Sequence, residues 1–212
     1  MVGQQILDLL IGVRIPAGQH MIISLQAGAI VLLFVWELIW IFTERESRRK
    51  KSLIEKSTVR TRLKRVLVYV FGLLGVLQIL GIVDVWTFPV TQLTDLIGFS
   101  LVSIGFLVSF SARLSLGANW AHGAEYQIVK NHELITGGVY SFIRHPIYAG
   151  LFLAVLGIEI LAHSYLVVPV ALAFSFGMYK LAKKEEKLLT KHFGSQYKDY
   201  IKSTKMFFPY LF

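Results

Sequence analysis

The chain has no cysteine, so disulfide bonds, thiolate metal sites and cysteine nucleophiles are excluded. Acidic residues are also few, with 13 aspartates and glutamates against 22 lysines and arginines. No Gly-x-Gly loop follows a strand-like segment, which excludes a Rossmann-type nucleotide site. No His-x3-His or His-Glu-x-x-His spacing occurs either, and we therefore expect no metal site. Apolar residues dominate, at 55% of 212 residues, above the roughly 45–50% of soluble domains.

Five apolar runs predict an all-α integral membrane protein with about five transmembrane helices. They cover residues 21–42, 66–83, 95–112, 146–162 and 166–179. We expect no cleavable signal peptide, because Asp8 lies near the start and no basic region precedes a short apolar core.

The runs divide the chain into two regions. Residues 1–112 hold the first three spans and a basic loop at 43–65, and residues 113–212 hold the rest. In the second region we predict a helical hairpin at about 146–179, followed by a basic amphipathic helix at 180–205.

The lysines and arginines are distributed very unevenly between the two sides of these spans. All of them except Arg14 fall on one side, ten of them in the loop 43–65. The positive-inside rule therefore predicts an N-terminus outside and a C-terminus in the cytoplasm. Topology and anionic lipid account for the net charge of +9, which argues against a nucleic-acid partner.

The segment before the fourth run concentrates polar chemistry. Arg144 and His145 directly precede Pro146, which occupies a first-turn position where a missing N–H costs nothing. The free N–H groups and positive dipole end of the helix attract anions, and an arginine fork suits a carboxylate or phosphate. We expect an anionic ligand group here. The alternative is that both cations only anchor a membrane helix at the interface.

Four short motifs carry a family resemblance over about the last eighty residues. Residues 144–148 read Arg-His-Pro-Ile-Tyr, and residues 185–189 read Glu-Glu-Lys-Leu-Leu. Residues 193–200 read Phe-Gly-Ser-Gln-Tyr-Lys-Asp-Tyr, and residues 132–140 read His-Glu-Leu-Ile-Thr-Gly-Gly-Val-Tyr. In order and spacing this set resembles the isoprenylcysteine carboxyl methyltransferase family and the wider group that includes the phospholipid N-methyltransferases. Ile135 replaces the family's valine.

The resemblance implies a membrane methyltransferase that binds S-adenosylmethionine from the cytoplasm without a Rossmann domain. The implied acceptor is a lipid or other hydrophobic molecule, such as an isoprenylcysteine carboxylate or a phospholipid amine. Catalytic roles fall to Arg144, Glu185 and Glu186. The residues expected to bind the cofactor are His132, Leu134, Ile135, Gly138, Tyr140, Arg144, His145, Pro146, Tyr148 and Glu185.

The two adjacent glutamates are expected to differ in role, because neighbouring helical residues point about 100° apart. One of Glu185 and Glu186 should face the ligand's amine, ribose hydroxyls or positive charge. The other can pair with Lys183 or Arg144. The alternative is a solvated helix face that the neighbouring lysines balance.

Tyrosines and buried carboxyl groups add further candidates. Tyr140 and Tyr148 can close over the ligand or can be interfacial tyrosines, and Tyr148 shares a helix face with His145. Glu37, near the cytoplasmic end of the first span, can meet the acceptor headgroup. Glu159 lies too far along its helix for that, and we expect it to be structural.

Two other classes compete with the methyltransferase. A reductase related to the membrane sterol reductases would bind NADPH, but five spans are few for that class and the glutamate pair favours a methyltransferase. A non-catalytic membrane protein would keep the motif only as a structural anchor.

Overall fold

The computed structural model describes residues 17–50, 70, 72–83, 86–117 and 133–209. Within these ranges the chain is helical, with two isolated bridges and no strand, so the predicted all-α class is confirmed. The helices are α1 (Ala17–Lys50), α2 (Gln92–Leu116), α3 (Pro146–Leu161), α4 (Val167–Phe193) and α5 (Ser195–Ser203), with a 3-10 helix at Gly138–Ser141. Residues 72–79 are also helical.

Two of the described helices are long and apolar enough to cross a membrane. They are α2 and the part of α1 from Leu25 to Thr43. The apolar helix α3 is shorter, at 16 residues. Most of the predicted basic loop 43–65 and the start of the predicted span 66–83 lie outside the described residues.

Glycines let α2 and α3 approach until their backbones touch. A Cβ atom at Gly157 would lie 2.6 Å from the carbonyl oxygen of Gly98, and one at Gly150 would lie 2.5 Å from that of Gly105. Ser109 on α2 also donates a hydrogen bond of 3.3 Å to the carbonyl of Ile147 on α3. Small residues at such an interface allow close helix packing in a membrane. This contact fixes the start of α3 against the end of α2.

The tight contact predicts a large effect from a single methyl group. Gly150→Ala should destabilise the protein by about 2 kcal/mol, because the new methyl group meets the α2 backbone and forces the helices apart. Gly177→Ala on α4 is the matched control, since no atom lies within 4 Å of its Cβ position. Thermal unfolding in detergent compares them. Equal melting temperatures for the two variants would contradict the packing described here.

The C-terminal part differs from the prediction of a separate basic helix at 180–205. α4 continues without a break from the apolar residues through the lysine-rich part to Phe193. Lysine and glutamate are good helix formers, so a change in polarity does not end a helix. Gly194 does end it, in a left-handed conformation with φ +59°. The short helix α5 then starts a new direction, and the predicted helix is wrong in both its bounds.

The turn between α3 and α4 is fastened by a buried contact between an imidazole and a carboxylate, which the sequence patterns do not predict. His163 Nε2 lies 3.1 Å from the Asp95 carboxylate on α2, and both side chains are buried. The Phe88 ring packs against the imidazole in a T-shaped arrangement, with ring centroids 5.6 Å apart. Glu159, one turn before, is also buried, which is compatible with the structural role expected of it. These contacts hold the turn at the end of α3 remote from His145.

Candidate active site

Hydrogen bonds join residues 140–145, which precede α3, to residues 200–206 near the C-terminus. The Arg144 N–H donates to the Lys205 carbonyl at 2.8 Å, and the His145 N–H donates to that of Met206 at 3.0 Å. The buried Tyr200 hydroxyl donates to the Tyr140 carbonyl at 2.6 Å. These hydrogen bonds hold the backbone of residues 140–145 in place, and with it the positions of the Arg144 and His145 side chains.

Arg144 binds partners within the chain. Its Nε donates to Glu186 Oε1 at 2.8 Å, and both side chains are less than a tenth exposed. One terminal nitrogen donates to the carbonyls of Ile201, at 3.2 Å, and Thr204. Arg144 thus joins the start of α3 to α4 and to the end of α5. The sequence predicts a ligand carboxylate at Arg144 and also allows a pair with one of the two glutamates. The structure shows this second pairing, with Glu186, 42 positions away in the chain.

His145 lies between the two glutamates at the start of α3. Its Nδ1 is 3.3 Å from Glu185 Oε2, and its Nε2 is 3.6 Å from Glu186 Oε1. The imidazole stacks on the ring of Tyr148, with centroids 5.5 Å apart and planes 7° apart. The two rings therefore lie on one face of α3, as their spacing of three residues predicts. Pro146 occupies the first turn of this helix.

The two glutamates occupy different environments, as their 100° offset predicts. The Glu186 side chain is 8% exposed and pairs with both Arg144 and Lys183, the latter at 3.2 Å. The Glu185 side chain is 31% exposed, with His145 behind it. Glu186 is therefore the internal partner, and Glu185 is the carboxylate that a ligand can reach.

The charges in this cluster shift the protonation of its members. Burial lowers the pKa of His145, but the adjacent Glu185 and Glu186 carboxylates outweigh it and raise the pKa above 6.5. Burial raises the pKa of Glu186, but the adjacent His145 and Arg144 outweigh it and lower the pKa to about 2. The imidazolium and the carboxylate therefore stabilise each other.

These shifts predict a stability plateau in slightly acidic solution. The contribution of Glu186 to the free energy of unfolding is complete above pH 4.5 and is lost as the pH falls toward 2. It is on the order of 3 kcal/mol. The His145 contribution is complete below pH 6.5 and is lost as the pH rises through its raised pKa. Melting temperature against pH should therefore fall on both sides of the plateau. Glu186→Gln should flatten the acidic side, and an unchanged acidic side would contradict the assignment.

The remaining predicted site residues precede this cluster. Gly138 adopts a left-handed conformation, φ +63°, and a Cβ atom there would lie 3.0 Å from Ser115 Oγ on α2. Tyr140 is 6% exposed and packs inward, while Leu134 and Ile135 are half-buried. His132 lies outside the described residues. Within the described ranges, no group of three or more histidine, aspartate or glutamate side chains could hold a metal ion.

Arg113 lies at the end of α2, next to the site. In the sequence it counts only as one of the basic residues that indicate the membrane orientation. Its guanidinium donates to the carbonyls of Gly117 and Thr43, each at 3.1 Å, and joins α2 to α1. Burial raises the pKa of Tyr140, with Glu185 adding to the rise and Arg113 opposing it. Arg113 and Glu185 thus both act on the Tyr140 hydroxyl. The sequence feature that could have indicated this role is the position of Arg113 directly after a long apolar run.

Comparison with known proteins adds independent information. Residues 93–196 match the family model described as phospholipid methyltransferase. The chain is 31% identical over 119 residues to the protein-S-isoprenylcysteine O-methyltransferase of Tribolium castaneum. It is 30% identical over 120 residues to that of Schizosaccharomyces pombe. The family resemblance is confirmed. Both of these relatives are O-methyltransferases by name.

The coverage of these methyltransferases is partial. The matches take in 54% and 55% of this chain but 41% and 49% of the two relatives. A solved structure, that of the eukaryotic intramembrane Ras methyltransferase, isoprenylcysteine carboxyl methyltransferase, aligns with a TM-score of 0.62 at 22% identity. That alignment covers 90% of this chain and 68% of the solved one. The chain therefore has the membrane fold of that methyltransferase, and the matched region 93–196 contains the cluster around His145.

Proposed function

We propose that the chain is an S-adenosylmethionine-dependent methyltransferase that acts at the cytoplasmic membrane face on a lipid or other hydrophobic acceptor. The observation that carries this proposal is the cluster at the start of α3. There a fixed Arg144–Glu186 pair and a buried His145 support the one open carboxylate of the cluster, Glu185. This arrangement lies within the region that matches the methyltransferase family model.

The residues of this cluster fit the chemistry of the cofactor. Glu185, 31% exposed, is an acceptor for an amine or for ribose hydroxyls, and the first turn of α3 favours a carboxylate. S-adenosylmethionine, when bound, supplies an electrophilic methyl group. We assign Arg144 and Glu186 a positioning role, because their atoms contact each other and the neighbouring backbone. Leu134, Ile135, Gly138 and Tyr148 are the proposed walls around the cofactor, and His132 remains a predicted member of this set.

The His145–Glu185 pair bears on the type of acceptor. A prenylcysteine carboxylate is already a nucleophile and needs no base, whereas a phospholipid ammonium must first lose a proton. Glu185 is open and lies 3.3 Å from the His145 imidazole, so an ammonium headgroup that reached this site would meet a carboxylate. Acceptors of both classes therefore need to be tested.

The membrane placement that we propose has five spans, with the N-terminus outside and the C-terminus in the cytoplasm. Two described helices satisfy the length and composition of a span, and α3 with the apolar half of α4 forms the proposed hairpin. The sidedness of the lysines and arginines supports this orientation. It places the cluster around His145 on the cytoplasmic side, where residues 113–212 would form the cofactor-binding region.

Transfer of a labelled methyl group tests this function. Purified protein in mixed micelles receives S-adenosylmethionine labelled in the methyl group, with either a farnesylcysteine analogue or phosphatidylethanolamine as acceptor. We expect the label to appear in the organic extract of one of the two reactions. Base treatment separates the classes, because a methyl ester releases methanol and an N-methyl group does not. Folded protein that binds NADPH and not S-adenosylmethionine would contradict the proposal and favour a reductase.

A further inference from the structure

One face of α4 carries regularly spaced lysines beyond its apolar half. We call Lys180, Lys184, Lys187 and Lys191 the lysine stripe, because their spacings of four, three and four residues place them on one helix face. All four are exposed. The buried residues of α4, Ala182 and Glu186, lie outside this face and pack toward the site. The lysine stripe therefore points away from the other helices that the structure describes.

The lysine stripe continues an apolar face on the same helix. Leu172 and Phe176, two turns and one turn before Lys180, are 68% and 61% exposed. Lys180 Nζ lies 4.0 Å from the centroid of the Phe176 ring, so its side chain folds back toward the apolar half. Where the apolar half faces lipid chains, the lysine stripe faces the headgroups directly above them.

The length of the apolar part brings the stripe close to the membrane. Residues 167–179 span about 20 Å, and the 16 residues of α3 span about 24 Å. A hydrocarbon core is about 30 Å thick. A hairpin this short draws headgroups inward by local thinning or requires flanking lysines to reach outward. Either response sets Lys180 and Lys184 at the level of the lipid phosphates.

We propose that the lysine stripe binds the phosphate groups of anionic phospholipids and gathers them beside α4. This inference rests on the proposed membrane placement of α4 and not on the cofactor or the reaction. Charge complementarity selects this occupant, since each lysine near an anionic membrane surface contributes an attraction that corresponds to about a fivefold change in affinity.

Lipid titration tests the stripe without any methyl transfer. The 212-residue chain in an uncharged detergent is titrated with phosphatidylglycerol labelled in its acyl chain, and separately with equally labelled phosphatidylcholine. We expect the wild type to bind the anionic lipid at least about tenfold more tightly. Inorganic phosphate, compared with chloride at equal ionic strength, should not compete. Specific competition by phosphate would instead show a free-phosphate site and overturn the lipid assignment.

Two variants with the same charge change locate the effect. Lys180→Gln with Lys184→Gln and Lys187→Gln should remove most of the preference for the anionic lipid. The control, Lys198→Gln with Lys202→Gln and Lys205→Gln, changes exposed lysines on α5 and just after it and should keep the preference. If the triple stripe variant fails to fold, the single variants should each weaken the preference by up to about fivefold. No preference in the wild type, or an equal loss in the control, would overturn the proposal.

Discussion

Arg144→Ala should both destabilise the protein and abolish cofactor binding, which is the largest effect that the structure predicts. The substitution leaves the Glu186 carboxylate, only 8% exposed, without its partner at 2.8 Å. Breaking a buried ion pair in this way costs about 3–5 kcal/mol. It also removes the donor that joins the start of α3 to the carbonyls of Ile201 and Thr204. Thermal unfolding and titration with S-adenosylhomocysteine measure the two losses.

A paired substitution separates positioning from direct contact. Arg144→Met with Glu186→Met removes both charges, and replacement of a buried pair by apolar side chains is often neutral. We expect this double variant to be markedly more stable than Arg144→Ala. Partial recovery of cofactor binding would support the positioning role, because Glu185 and His145 remain in place. A double variant that is no more stable than Arg144→Ala would contradict the proposed coupling of the two charges.

Glu185→Gln should have the second largest effect, and this effect should fall on binding. Glu185 is half-buried and contacts His145 at 3.3 Å, outside the Arg144–Glu186 pair, so the fold should change little. Loss of a hydrogen bond to a charged group should weaken cofactor affinity roughly 10- to 100-fold. Calorimetric titration measures the affinity, and the melting temperature checks the fold.

The controls for Glu185→Gln come from the same region. Asp199→Asn removes an exposed carboxylate that pairs with the exposed Lys202, and it should change neither affinity nor stability. Glu186→Gln should mainly lower stability, since Glu186 is the internal partner. If Glu185→Gln and Asp199→Asn bind the cofactor equally well, Glu185 is not a ligand.

Local sequence rules predict the parts of the structure that depend on neighbouring residues. Helical class follows from the apolar runs, and the first-turn position of Pro146 follows from the missing N–H of proline. The shared face of His145 and Tyr148 follows from their spacing of three residues. The order and spacing of the four motifs also indicate the family, because they depend on the sequence alone.

Contacts between distant residues are beyond those rules. Spacing shows that Glu185 and Glu186 differ, but only the packing of α3 on α4 shows that Glu186 meets Arg144. The Asp95–His163 pair joins α2 to a turn that follows α3, and no local pattern encodes that proximity. The predicted end of α4 is wrong for a different reason, since a change from apolar to charged residues does not end a helix and Gly194 does.

Calorimetric titration of the purified wild-type protein with S-adenosylmethionine tests the central claim most directly. We predict saturable binding to folded protein, retained in Asp199→Asn and weakened in Glu185→Gln. Binding that persists unchanged in Glu185→Gln would place the cofactor elsewhere. Absence of any binding by protein that melts cooperatively would contradict the assignment of this chain as a methyltransferase.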